Sequence, residues 1–394
     1  MGEWLPKVFG RGRLGSGPKS MRDEIDPRPD TPELDAPRPV AEAPEGADSF
    51  QFSLWVEQKV GEGEDAEPVL AVSQTRDQGR LSVFDGMGGA GSTRYTFNGI
   101  SRTGAYIAAR LASEVVEAFF RNPTAEAYFT SKAVAEAAAR ALEAGLLERF
   151  RTELARLDAA PSRLGGKMMR RLPTTMTCLS YKVIEGYKAA GYAVHWAGDS
   201  RAYVLSPSDG LQQISMDDLK SGGDALQNLL EDSPVSNCVN ADVSFTINTA
   251  SGMCQLPLTF LVATDGCFNF CPTPAHFEHA LLDSLLNSSN SFEWRDDLTK
   301  RLHAIAGDDL SLALVSIGWP TFGDMRKDYR RRSAEVLEAF VKPIDDLDGV
   351  IRDLACRHKR GINDRDKLRS DLWSRYKKGY ELFCRDVQGG GGQP

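Results

Sequence analysis

Four aspartates stand at the edges of apolar runs. Asp85 closes Ser82-Val83-Phe84, Asp199 sits in Gly198-Asp199-Ser200-Arg201, Asp265 closes Val262-Ala263-Thr264, and Asp308 begins Asp308-Asp309-Leu310-Ser311. A carboxylate placed where a strand ends or begins can project into a pocket shared with neighbouring strands. Gathered there without a matching basic cluster, such oxygens are what hard divalent cations need. Gly86 lets the backbone turn and brings its carbonyl near anything Asp85 binds, and Asp265-Gly266 repeats the pattern. The chemistry indicated is metal-assisted.

The acids converge only if the elements carrying them are neighbours. Residues 1–48 are dense in Pro, Gly, Glu, Asp and Arg without periodicity, which predicts a disordered leader. From residue 49 to 319 the sequence predicts the structured domain. Phe50 to Val56 largely alternates apolar and polar residues, as a half-buried strand does, and Leu81 to Phe84 is a second strand ending at Asp85. Helical spacing over Ile100 to Phe120, and again from about Ala125 to Leu157, predicts two long amphipathic helices. Thr175 to Val183, Ala189 to Trp196 and Arg201 to Leu205 form an antiparallel meander with glycine-containing turns. Leu211 to Val243 turns polar and reads as an irregular insertion that shapes a cleft.

Leu256 to Ala263 is a strand that delivers Asp265, His276 to Leu286 and Trp294 to Ile305 are helices, and Leu310 to Ile317 is the last core strand. This order predicts an α+β domain with helices outside stacked antiparallel sheets. Beyond Trp319-Pro320 the chain becomes highly charged, with Val336, Leu337, Phe340, Leu347, Ile351 and Leu354 at helical spacing. A C-terminal helical extension over residues 320–388 and a flexible tail over 389–394 are expected.

The 394 residues carry 41% hydrophobic side chains, enough for a sizeable core, and a net charge of -8, which argues against nucleic acid or anionic membrane as the main partner. No apolar run is long enough for a membrane span, so a soluble, cytoplasmic protein is expected. Seven cysteines, an odd number without CxxC spacing, argue against a disulfide framework, and Cys178, Cys254, Cys267 and Cys271 read as reduced, mostly buried small hydrophobes.

These motifs carry a family resemblance. Val83-Phe84-Asp85-Gly86-Met87-Gly88-Gly89, Thr174-Thr175, Gly198-Asp199-Ser200-Arg201-Ala202-Tyr203, Thr264-Asp265-Gly266 and Asp308-Asp309-Leu310-Ser311, in this order, resemble the metal-dependent Ser/Thr protein phosphatases of the 2C type in their bacterial-like form, over roughly Phe50 to Trp319. The resemblance implies a central antiparallel β-sandwich flanked by helix pairs (αββα), with two Mn²⁺ or Mg²⁺ ions at one end. It implies that Asp85 bridges the two ions, that Asp265 and Asp308 hold the first, and that the Gly86 carbonyl and an upstream acid hold the second. Glu64 in Gly63-Glu64-Asp65-Ala66 fits that acid, with Glu57, Glu62 and Asp77 nearby as alternatives. In such a centre a water between two cations loses a proton near neutral pH and attacks the phosphoryl group, so no covalent intermediate is needed.

Three departures from the family pattern stand out. Met87 occupies the place of a histidine found in animal members, Lys59 stands where a phosphate-gripping arginine is usual, and Asn269 replaces an acid that would share a third metal with Asp199. A lysine offers a point charge where arginine offers a bidentate fork. The third site is therefore expected to be weak. Arg201 reads as the structural partner of a carboxylate.

Gly86 to Gly91 formally satisfies GxGxxG, but the polar and aromatic residues that follow lack the helical spacing that a dinucleotide site requires. Ser200 lacks the second glycine of a nucleophile elbow, and the five histidines show no HExxH spacing. The expected function is hydrolysis of phosphoserine and phosphothreonine on proteins, in signal transduction opposite a cognate Ser/Thr kinase. A phosphoprotein-binding scaffold with weak or lost turnover is the alternative, motivated by Lys59 and Asn269.

Overall fold

The computed structural model describes residues 50–121, 132–159, 169–184, 186–220, 222–230 and 233–380. The expected leader and glycine tail lie outside the described residues, as do residues 125–131 of the expected second helix. The chain runs through β1 (Gln51–Val56), β2 (Val69–Val72), β3 (Gln78–Val83), β4 (Arg94–Phe97) and β5 (Ile100–Thr103), then α1 (Gly104–Phe120) and α2 (Lys132–Leu154). There follow β6 (Asp158–Ala159), β7 (Met176–Ile184), β8 (Ala189–Ala197), β9 (Arg201–Ser206), β10 (Gly210–Gln213), α3 (Ala225–Leu230), β11 (Asn248–Gln255) and β12 (Leu258–Ala263). The last elements are α4 (Pro274–Leu286), α5 (Ser291–His303), β13 (Leu310–Ile317), α6 (Phe322–Val336) and α7 (Lys342–Tyr380).

Among the described residues ten of these strands form two five-stranded antiparallel sheets, ordered β1-β13-β12-β9-β10 and β11-β8-β7-β3-β2, and the other three form a small sheet ordered β5-β4-β6. Inward-facing side chains alternate along the strands. Leu81, Val83, Leu179 and Val194 of the second sheet thus meet Val204, Phe260, Val262 and Val315 of the first in one buried layer. The other face of the first sheet packs on α4, α5 and α6, where Phe52 sets its ring edge-on to Trp294 at 5.1 Å. The other face of the second sheet is covered by α1 and α2; His195 of β8 bonds the Ala135 carbonyl of α2 at 3.1 Å through Nε2. The result is the helix–sheet–sheet–helix layering of an α+β sandwich, with a C-terminal helical extension.

Residues 100–103 depart from the expected helix. They pair with β4 as β5, and the Thr103 hydroxyl accepts the Tyr106 N–H at 3.2 Å, which starts α1 at Gly104. The insertion from Leu211 to Val243 is not wholly irregular either: it contributes most of β10 and the short helix α3, and the edge strand β11 follows it.

Past residue 320 the chain first returns to the body. Met325, Tyr329 and Val336 of α6 are buried, and the Tyr329 hydroxyl donates to the Leu205 carbonyl at 2.7 Å. A π-helical stretch, Leu337–Val341, then leads into α7. Pro343, in the first turn of α7, can neither donate to the preceding turn nor pack against its carbonyl, and the widened turn accommodates it. Among the described residues no helix is long and apolar enough to cross a membrane.

Candidate active site

Two sheets deliver the carboxylates from opposite sides of the sandwich. Asp85 comes two residues after the end of β3, and its carbonyl accepts from the Thr175 N–H at 2.8 Å and the Thr174 hydroxyl at 2.7 Å, so the second sheet fixes its position. β12 of the first sheet ends at Ala263, Thr264 caps the turn that follows, and Asp265 opens a single 3-10 turn through Cys267. The Asp85 and Asp265 carboxyls stand near enough for the charge of Asp265 to act on Asp85, and Asn269 donates to Asp265 Oδ2 at 2.9 Å.

Gly86 has little freedom to be anything larger. A Cβ there would stand 2.5 Å from the Glu64 carbonyl oxygen and 2.8 Å from that of Ala105. A Cβ on Gly88 would overlap the Glu64 carboxylate. Glu64 therefore lies against the glycine turn after Asp85, and the Thr103 hydroxyl donates to its Oε1 at 2.5 Å. The other acids of this region face elsewhere: Glu57 accepts the Gly61 N–H at 2.5 Å, and Asp77 accepts from Ser73 and Thr75 within its own turn. Lys59 is exposed in the loop after β1.

Asp308 is exposed just before β13, whereas Asp309 is buried. Asp199 sits in the β8–β9 turn, half-buried, between Gly198 at φ +110° and Ser200, whose hydroxyl bonds that of Thr175 at 2.6 Å. The Gly198 N–H donates to Asp218 at 3.0 Å, and Arg201 grips Asp217 through two bonds of 2.9 and 2.6 Å. The insertion is tied in this way to the turn bearing Asp199.

The electrostatics are one-sided. Burial, then the charges of Asp265, Asp65, Asp199 and Asp308, hold the Asp85 carboxyl well above the usual range. Burial and Asp308 push Asp265 up to about 6, and burial and Asp265 push Asp199 up to about 8. Burial, opposed by the Thr103 hydrogen bond and reinforced by Asp309, raises Glu64. Among the described residues no three Asp, Glu, His or Cys side chains group tightly enough to hold one ion unaided. The donor set nonetheless suits a hard divalent cation: its donors are carboxylate oxygens under mutual repulsion, and positive charge would relieve that repulsion.

Three contributions escaped the motif reading. Asp65 is 3% exposed, takes the Thr264 hydroxyl at 3.0 Å, and is held well above the usual carboxylate range by burial and then by Asp309. Asp309 accepts the backbone N–H groups of Gln58, Glu64 and Asp65 at 2.7, 2.6 and 3.3 Å. Guanidinium groups come from β4, β5 and α1: Arg102 donates to the Gly61 carbonyl at 2.8 Å, Arg110 donates to that of Glu64 at 3.4 Å, and the Arg94 charge lowers the Glu64 pKa. The sequence signals available were the acid after Glu64 and the doubled acid at Asp308-Asp309. No spacing rule pointed to the arginines.

A family model described as Protein phosphatase 2C matches residues 69–305, more than half of the chain. The chain belongs to the protein phosphatase 2C family. Solved structures that it resembles include the serine/threonine phosphatase Stp1 from Staphylococcus aureus, at 16% identity over 70% of this chain and 97% of that one, with a TM-score of 0.47. Others are the Mycobacterium tuberculosis serine/threonine phosphatase PstP/Ppp (14%, 68% and 98%, TM-score 0.45) and PppA of Pseudomonas aeruginosa (19%, 68% and 99%, TM-score 0.44). No curated protein matches the sequence. The protein is thus an enzyme of the protein phosphatase 2C class, and the family match spans the segments that carry Asp85, Asp199 and Asp265.

Proposed function

We propose that this phosphatase-family chain hydrolyses phosphoserine and phosphothreonine on proteins with two Mn²⁺ or Mg²⁺ ions bound. The observation that carries the reading is the meeting of Asp85 from one sheet with Asp265 from the other, in a site where burial and then mutual repulsion raise the carboxyl pKa values. Asp85, Asp265 and Asp308 would hold one ion; Asp85, the Gly86 carbonyl and Glu64 would hold the other. With those ions bound the site would gain the Lewis acidity to activate a water and to offset charge on the phosphoryl oxygens. Thr174 and Thr175 fix the Asp85 backbone, Thr103 orients Glu64, and Asn269 orients Asp265. Asp199 would serve a third, weaker ion, since Asn269 brings an amide where a further acid would be needed.

Lys59 would meet the substrate phosphate as a mobile point charge. The enzyme would act on signalling phosphoproteins in the cytoplasm, opposite a Ser/Thr kinase. The test is phosphate release from a phosphothreonine peptide with Mn²⁺, repeated in chelator and with Asp85→Asn and Asp265→Asn. Metal-dependent release abolished by both substitutions supports the reading. Release unaffected by chelator or by either substitution overturns it, and peptide binding without release would favour the scaffold alternative.

A further inference from the structure

The long helix α7 is exposed on every side from Ile351 to Tyr376. One stripe along it is nevertheless apolar. Leu347, Ile351, Leu354, Leu368, Leu372 and Tyr376 are each at least half exposed, from 50% at Leu372 to 66% at Tyr376. A helix this polar gains little stability in isolation, and the apolar stripe, interrupted at its middle by His358, Gly361 and Arg365, gains its stabilisation by being covered.

Charge says what covers it. Residues 338–355 hold five acidic side chains against two basic ones, and residues 356–380 hold nine basic against three acidic. An anionic surface would attract the second half and repel the first. A parallel second copy would set acid against acid and base against base. An antiparallel second copy sets each half against its opposite.

We propose that α7 pairs antiparallel with α7 of a second copy of this chain, forming a two-fold symmetric helical dimer. One register serves the stripe. Centred between Gly361 and Ile362, it puts Leu347 of one copy opposite Tyr376 of the other, and Ile351 opposite Leu372. Nothing lies within 4 Å of where a Cβ would stand on Gly361, so two backbones can approach closely at the centre. The interface is isologous, so the same patch is used twice and the assembly closes at two.

The test uses the full chain in sedimentation equilibrium at micromolar concentration, where a dimer is expected. Ile351→Asp combined with Leu372→Asp should raise the dissociation constant by about 100-fold or more, with unchanged circular dichroism of the folded domain. Direction is read by oxidative cross-linking in a background with Cys356 and Cys384 replaced by serine. A mixture of Ile351→Cys and Leu372→Cys chains should join, whereas Ile351→Cys alone should not, since its two copies would stand roughly 30 Å apart along the pair. A monomer, a dimer indifferent to the double substitution, or efficient cross-linking of Ile351→Cys alone overturns the proposal. So does capture on phosphatidylserine vesicles without self-association, which would assign the stripe to a lipid surface.

Discussion

The Asp309 carboxylate accepts the Glu64 N–H at 2.6 Å, joining residues 245 positions apart in the chain. Through the same group Asp309 also takes the N–H of Gln58 and of Asp65, so one buried side chain shapes the whole approach to the glycine turn after Asp85. Hydrogen bonds to a charged acceptor contribute about 1.5–3 kcal/mol each. Asp309→Ala loses these bonds but also removes a like charge beside Glu64 and Asp65, so the net loss of stability in urea denaturation should be roughly 2–4 kcal/mol, less than the sum of the bonds, with turnover falling further as Glu64 drifts. Asp309→Asn keeps one accepting oxygen, but its amide would confront one N–H with another, so its loss should be intermediate. A stability unchanged in Asp309→Ala would show that the loop holds its own shape.

Neutralising Asp85 should help the metal-free protein. Its carboxyl is buried among like charges, so Asp85→Asn removes repulsion at nearly constant shape. In chelator the variant should melt higher than the parent while lacking phosphatase activity. A lower melting temperature would mean that the buried charge is already neutralised by a partner.

The same repulsion sets a pH dependence. Burial and like charge push Asp265 up to about 6 and Asp199 up to about 8 in the folded protein, from an ordinary value of 3.8. The folded state thus binds more protons than the unfolded state across this interval. The stability it gains is present at low pH and is lost as pH rises through 6 and then 8. Denaturation in chelator should show a less stable protein at pH 8.5 than at pH 5.5, and saturating Mn²⁺ should narrow or reverse that difference. Equal stabilities in chelator would remove the charge cluster from the account.

Arg201 and Asp217 form a bidentate pair with side chains 3% and 2% exposed. Breaking such a pair from one side leaves a buried charge and costs about 3–5 kcal/mol, while replacing both partners costs much less. Arg201→Met should destabilise more than Arg201→Met with Asp217→Leu. Additive losses in that double-mutant cycle would contradict a tightly coupled pair.

Legibility followed the range over which each signal acts. β13 was read from its apolar run at Leu310 to Ile317, and the acids at the ends of β3 and β12 were read from the apolar residues before them. β11 was missed because an edge strand is half-solvated, and Asn248 to Gln255 has little apolar alternation to announce it. Residues 100–103 carry both patterns, and their pairing with β4 decided the outcome. Asp65 and Asp309 sat inside recognised motifs without a visible role, because that role exists only once the loop after β1 reaches the start of β13. Arg94, Arg102 and Arg110 reach Glu64 or its loop by tertiary placement, which local spacing cannot encode.

The division of the carboxylates between two sheets has a further consequence. Asp85 belongs to one layer and Asp265 and Asp308 to the other, joined through the apolar seam of Val83, Val262 and Val315. No fragment containing a single layer can carry the whole of this centre. A slip along that seam would separate the acids while every strand kept its ladder, so loss of turnover should be an earlier gauge of layer separation than loss of β-sheet signal.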